Sequence, residues 1–154
     1  MITLLYQRII AYLEKNKIQF QLFEHEPVYT SETASKVLNH AEEEGTKSLA
    51  LQAGNNLIVV TISGNEHIDF KKIKKLFCIK KTKMCDPETL FQILGTEVGG
   101  LAPFGYELNV QLVVSSTLFK QKYIYLNPGR NDATICISGE DFKSVMLGNK
   151  ARIL

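Results

Sequence analysis

The sequence predicts a single α+β (mixed α/β) domain built on a mixed, mainly antiparallel sheet, or a partly closed barrel, flanked by helices. Three observations lead there. Five or six apolar runs have strand length, segments of helical spacing separate them irregularly, and the regular βαβ alternation of a doubly wound parallel sheet is missing. A chain of 154 residues can bury a core without disulfide or metal support, and no repeat, linker or low-complexity tract divides it, so one domain over 1–154 is expected.

Leu5, Ile9 and Leu13 recur at helical spacing, with Gln7, Arg8, Glu14 and Lys15 off that stripe, which predicts an amphipathic first helix ending near Asn16. Ile18 to Leu22 alternates apolar and polar as a half-buried strand does, and His25-Glu26-Pro27 breaks it because proline lacks the ladder donor. Ser31 is the expected N-cap of a short helix over Glu32 to Leu38. Ser48 to Gln52 and Leu57 to Ile62 flank Ala53-Gly54-Asn55-Asn56, a hairpin pattern with turn residues at its centre. Asp69 caps a helix that turns Ile73, Leu76 and Phe77 inward and Lys71, Lys72, Lys74 and Lys75 outward. Asp86-Pro87 opens another helix, which Gly95 closes. Val110 to Ser115, Tyr123 to Asn127 and Thr134 to Ser138 read as strands, and Glu140-Asp141-Phe142 starts a last short helix.

Several function classes drop out. A net charge of +2 does not by itself argue for nucleic acid, so any such argument rests on where the charges sit. Cys78, Cys85 and Cys136 fit neither a disulfide framework nor a zinc site and read as reduced, mostly packing cysteines of a cytosolic protein. Arg8, Glu14, Lys15 and Lys17 interrupt the early apolar patch, so no signal peptide is read there. No apolar run approaches the roughly 20 residues of a membrane span. The histidines at 25, 40 and 67 lack metal-ligand spacing, and no metal or cofactor is expected. Phosphate-loop and GxGxxG motifs are missing, as are a Gly-x-Ser-x-Gly elbow and a recognisable Cys–His arrangement. The expectation is a cytoplasmic protein without a membrane partner, monomeric by default.

Glycine and proline crowd the segment Gly95 to Gly105, at Gly95, Gly99, Gly100, Pro103 and Gly105. A rigid loop of this kind lets a ligand approach the main chain and can cradle a carboxyl, ester or phosphate oxygen. It is equally a tight connection between a helix and a strand.

Glu97-Val98-Gly99-Gly100-Leu101-Ala102-Pro103-Phe104-Gly105 resembles the glycine–proline substrate loop of the YbaK and prolyl-tRNA-synthetase editing-domain family. His25 to Thr30 resembles that family's early segment, Gly45 to Leu49 its lysine-bearing strand start, and Asn127 to Thr134 the late loop feeding its last strand. The four blocks occur in the family's order over nearly the whole chain. The resemblance implies a freestanding, YbaK-like domain that hydrolyses the ester between a small amino acid (Ala, Ser, Thr or Cys) and the terminal adenosine of a mischarged tRNA. It implies attack by water or by a ribose hydroxyl rather than by a protein nucleophile. The implied catalytic residues are Lys47, on the nucleotide side, with Gly99, Gly100 and Pro103 around the ester. His25, Tyr29, Thr30, Phe104 and Gly105 match pocket positions of the family, as do Asn127, Asn131 and Asp132. Without the resemblance, Lys47 reads as a strand-edge lysine, His25 as a structural hydrogen-bonder and Asn131-Asp132 as a turn pair. Relatives resembling alanyl-tRNA(Pro) deacylases carry a histidine where this chain has Asn127, which cannot take a proton at physiological pH.

Seven lysines fall between positions 71 and 83, and Lys71, Lys72 and Lys75 are the candidate tRNA-facing cations. A lysine-rich outer helix face is also commonly just solvated. The implied partners are the aminoacylated acceptor end of tRNA and an aminoacyl-tRNA synthetase. Two other readings fit the same residues: a non-catalytic module that binds an aminoacyl end or amino acid, and a small-molecule ester or amide hydrolase.

Overall fold

The computed structural model describes residues 3–97, 99–107 and 109–154; Val98, inside the glycine–proline block, and Leu108 lie outside them. Helix α1 (Leu4–Lys15) buries Leu5, Ile9 and Leu13, the stripe seen in the sequence. Its N-cap is Thr3, whose Oγ1 accepts from the Tyr6 N–H and donates to the Gly129 carbonyl, tying the helix start to the late loop. Strand β1 (Gln21–Glu24) starts three residues later than the alternation suggested, because Ile18 and Phe20 pack on the core before pairing begins. Helix α2 (Ser31–Leu38) is capped by Thr30 rather than Ser31: Thr30 Oγ1 accepts from the Thr33 N–H, and the Ser31 hydroxyl instead donates to the Gly64 carbonyl.

The hairpin is longer than its apolar runs. Strands β2 (Thr46–Ala53) and β3 (Asn56–Ser63) pair from Thr46–Ser63 to Ala53–Asn56, which brings Lys47 into the ladder opposite Ile62. Helix α3 (Phe70–Phe77) is capped by Asp69, whose carboxylate accepts from the Lys71 and Lys72 N–H groups; Ile73 is buried, and Lys71, Lys72 and Lys75 are exposed. Strand β4 (Lys83–Met84) precedes helix α4 (Pro87–Thr89), which runs on as a π-turn over Leu90–Leu94 and is closed by Gly95. Strands β5 (Val110–Val114), β6 (Tyr123–Leu126) and β7 (Ala133–Ser138), helix α5 (Gly139–Gly148) and strand β8 (Arg152–Ile153) complete the chain.

Two open sheets result, with orders β1-β7-β6 and β4-β2-β3-β5-β8. Four of the six strand pairings are antiparallel, and β5 lies parallel to both β3 and β8. The fold is thus the expected α+β domain, in its mixed-sheet rather than its barrel form. Among the described residues one isolated parallel bridge, Gly45 to Tyr125, links the two sheets. The larger core, between them, takes Ala50, Val59, Phe104, Ile124, Ile135 and Phe142; a smaller one under α3 takes Leu51, Ile58, Val60, Ile62, Ile73 and Val113. Alternate residues of β2 and β3 serve alternate cores, as the period-two pleat requires. A cleft lies beside Gly45, where the sheets meet.

Candidate active site

The cleft holds about 680 Å³. Its floor is Thr46 to Ala50 of β2; the opposing walls are Tyr29 to Glu32 at the start of α2, Gly99 and Leu101 of the glycine–proline loop, and Tyr125 to Asn127 at the end of β6. Of the residues singled out from sequence, Lys47, Gly99, Tyr29, Thr30 and Asn127 converge here.

Lys47 is half-buried, and among the described residues no carboxylate lies within ion-pair distance of it. An ammonium that no carboxylate engages is available to an anionic ligand. Gly99 has φ +84°, and a Cβ there would sit 2.8 Å from the Val28 carbonyl oxygen and 2.9 Å from Tyr29 Cα, so backbone excludes any side chain. Gly100 stands behind the wall. Its N–H donates to the Glu97 carbonyl at 2.9 Å, closing the turn, so that group supports the loop instead of facing a ligand. A Cβ on it would meet Thr96 Oγ1 at 2.5 Å.

Pro103, Phe104 and Gly105 do not line the cleft. Phe104 is fully buried with its ring edge-on to Tyr12, 5.3 Å between centroids, because the apolar end of the loop is what anchors it to α1. Sequence reasoning missed the residue that fixes this anchor. The Tyr106 hydroxyl donates to the Ala102 carbonyl at 2.7 Å and accepts from the Ala102 N–H at 2.9 Å, clipping both main-chain groups of one loop residue. Burial pushes the Tyr106 phenol far above its ordinary value, so the clip stays protonated.

Asn127 joins the two loops. Its Nδ2 donates to the Gly99 carbonyl, while its Oδ1 accepts from the Gly129 N–H (2.9 Å) and the Arg130 N–H (3.1 Å). Both ends of the amide are engaged. His25 lies beside the cleft. Its Nδ1 faces the Glu26 carbonyl at 2.8 Å and must donate, which leaves Nε2 to accept from the Thr134 hydroxyl at 2.9 Å. Thr134 lines the cleft, and with its proton committed to His25 it offers the cleft a hydrogen-bond acceptor.

Asn131 and Asp132 line a second, smaller depression of about 40 Å³ together with Arg130. Their carbonyls accept from the Val28 and His25 N–H groups, holding the early segment in place. Arg130 donates to Asp132 (2.8 Å) and Glu24 (3.2 Å) and lies 4.8 Å from the Tyr6 ring centroid. The Arg130 guanidinium holds the Asp132 carboxyl below its usual range, and the same pairing raises Arg130. Lys71, Lys72 and Lys75 line neither depression.

The cleft also contains groups that carried no signal in the sequence. His40 stacks on Tyr125 at 3.9 Å and 11°, and its Nδ1 donates to the Ala41 carbonyl. Thr46 Oγ1 is buried without a partner. Met84, Cys85, Leu90 and Leu101 close the Ala50 end. Burial pushes the Cys85 thiol up, against a role as a ready thiolate nucleophile. Among the described residues no three His, Cys, Asp or Glu side chains are placed to share a metal ion, and no helix is long and apolar enough to cross a membrane.

Fold and cleft together define a small α+β domain whose candidate site is lined by a glycine wall, a lysine and an asparagine bridge; among the described residues the lysine has no ion-pair partner. The chain belongs to the aminoacyl-tRNA editing domain family, whose model matches residues 25–145. It is 28% identical over 149 residues to the prolyl-tRNA editing protein ProX of Acetoanaerobium sticklandii, covering 93% of this chain and 91% of that one. It is 22% identical over 142 residues to the multifunctional Ser/Thr-tRNA deacylase ProXp-y of Escherichia coli K12, covering 89% and 85%. A solved structure of a candidate trans-editing enzyme for prolyl-tRNA synthetase superposes with TM-score 0.83 at 17% identity, over 100% of this chain and 97% of the other, and shares the fold.

Proposed function

We propose that this protein is a cytoplasmic trans-editing deacylase that hydrolyses the ester of a tRNA mischarged with a small amino acid, from the set alanine, serine, threonine and cysteine. The observation that carries this reading is the convergence of Lys47, the Gly99 wall and Asn127 on one cleft. An aminoacyl ester is already activated, so orientation and carbonyl polarisation supply much of the acceleration needed. Lys47 meets the anionic nucleotide side. The missing side chain at Gly99 lets its main chain pack on the Val28–Tyr29 backbone and form the cleft wall, and Asn127 fixes the Gly99 peptide by holding its carbonyl. The acceptor at Thr134 suits the substrate's α-ammonium. Water attacks the carbonyl, aligned by the protein or by the neighbouring ribose hydroxyl; the C–O bond to the ribose breaks, the amino acid leaves with its carboxyl group restored, and the ribose oxygen takes a proton as the free hydroxyl of the 3′ end. Lys71, Lys72 and Lys75, exposed on α3, are suited to the tRNA body.

The test is multiple-turnover release of labelled amino acid from a panel of mischarged tRNAs. Turnover on at least one small residue, lost in Lys47→Ala, is expected. Stoichiometric binding without turnover would favour a binding module instead. Hydrolysis of free aminoacyl esters at the same rate, with no dependence on the tRNA body, would favour a small-molecule hydrolase. An acyl-enzyme trapped on wild type and missing from Thr134→Val would overturn the water or ribose-hydroxyl route.

A further inference from the structure

The two ends of the cleft differ in chemistry, and the difference orients a substrate. At the Thr46 end lie the His40–Tyr125 stack, Lys47 and the unpartnered Thr46 hydroxyl. Desolvation pushes the Tyr125 phenol up, so that ring of the stack stays un-ionised. At the Ala50 end the lining is Met84, Cys85, Leu90 and Leu101, with no charged group among these side chains. Thr46 and Ala50 are four residues apart on one strand, roughly 13 Å at about 3.3 Å per residue. The Gly99–Asn127 junction lines the same cleft.

Resting on the deacylase reading, we infer that the terminal adenosine occupies the Thr46 end, with its base against the His40–Tyr125 stack, and that the amino-acid side chain occupies the Ala50 end, where Leu90 and Met84 limit its size. A purine stacks on imidazole and phenol rings without any sequence-reading hydrogen bond. Its ribose can satisfy the Thr46 hydroxyl, which otherwise stays buried and unpaired, and its 5′ phosphate falls to Lys47. The carboxylate of Glu42, also in this wall, is a suitable acceptor for the exocyclic amine of adenine. A small neutral side chain gains by burial at the apolar end, whereas a nucleotide placed there would leave its phosphate without a cation. The tautomer of His40 is fixed by the Ala41 carbonyl, so the ring is held in place before a ligand arrives.

The experiment uses the full chain and a non-hydrolysable 3′-alanylamido-3′-deoxyadenosine, with alanine amide as the probe lacking a base. His40→Ala should weaken the adenosine conjugate about ten-fold or more and leave alanine amide unchanged. His40→Phe should recover most of that loss, since it restores a ring without a titratable nitrogen. Leu90→Ala should leave the conjugate's affinity within about two-fold but raise the relative rate on valyl-tRNA against alanyl-tRNA by ten-fold or more. Equal weakening by His40→Ala and His40→Phe would overturn stacking. A change of amino-acid selectivity in His40→Ala, with none in Leu90→Ala, would reverse the orientation. Absence of both conjugate binding and deacylation in the wild type would remove the deacylase reading itself, a result distinct from either.

Discussion

Replacing Asn127 by aspartate isolates the link between the two loops. The side chains have nearly the same shape, but the amide's three bonds respond in opposite directions. The bond from Nδ2 to the Gly99 carbonyl is lost and replaced by two facing oxygens, while the two N–H groups of Gly129 and Arg130 keep an acceptor that is now charged. The lost bond costs about 1 kcal/mol net, and a charged acceptor returns a similar amount. The thermal midpoint should therefore move by no more than about 4 °C in a chain of this size. Activity should respond far more. With Gly99 no longer held, and its carbonyl repelled, a displacement of about 1 Å at the ester is enough to cost about 100-fold. Single-turnover deacylation beside a thermal melt reads both quantities. A wild-type rate in Asn127→Asp would refute the bridge, and a rate loss matched by a collapsed melt would refute the separation of positioning from folding.

Other consequences can be checked in the same preparations. Tyr106→Phe leaves the Ala102 N–H and C=O unpaired, so the urea midpoint should fall by the equivalent of about 2–4 kcal/mol; an unchanged midpoint would show that the clip contributes nothing. Asp132 is depressed by Arg130, so its contribution to stability is present above the ordinary carboxylate value of about 4 and is lost as pH falls toward the lower folded value. Wild type should accordingly lose stability below about pH 4 more steeply than Asp132→Asn, and parallel curves would contradict the pairing. Charge reversal at Lys72 and Lys75 together should raise the KM for aminoacyl-tRNA and flatten its salt dependence. A wild-type salt slope would make that face of α3 a solvated surface only.

Much of the fold was legible because its elements carry strong periods. The Leu5–Ile9–Leu13 stripe, the two apolar runs of the hairpin about their turn residues and the Asp69 and Asp86-Pro87 caps each survive in the structure. Strands β4 and β8 were not legible, since two residues cannot display a period and their pairing depends on strands far along the chain. The cap of α2 was misplaced by one because Thr30 and Ser31 are chemically alike, and only the position of the Gly64 carbonyl decides which one is drawn away. At the site, Lys47, Gly99 and Asn127 stood out through their blocks, and the cleft brings them together. Phe104 and Gly105 travelled with the same block, yet they face the core because the loop needs an apolar foot on α1. Asn131 and Asp132 likewise act at one remove, through Val28, His25 and Arg130. His40 and Tyr125 lie far apart in the chain and share no motif; the bridge between Gly45 and Tyr125 helps to bring them together.

The main chain at Gly99, held by Asn127 and sharing the cleft with Lys47, is the proposed place of ester hydrolysis. The most direct measurement is deacylation of small-residue mischarged tRNAs by wild type and by Gly99→Ala, whose Cβ would strike the Val28 carbonyl. Turnover by wild type and a loss of about 100-fold or more in the variant are expected, with the fold retained by circular dichroism. Equal rates in the two proteins, or no hydrolysis above the spontaneous rate in either, would contradict that placement.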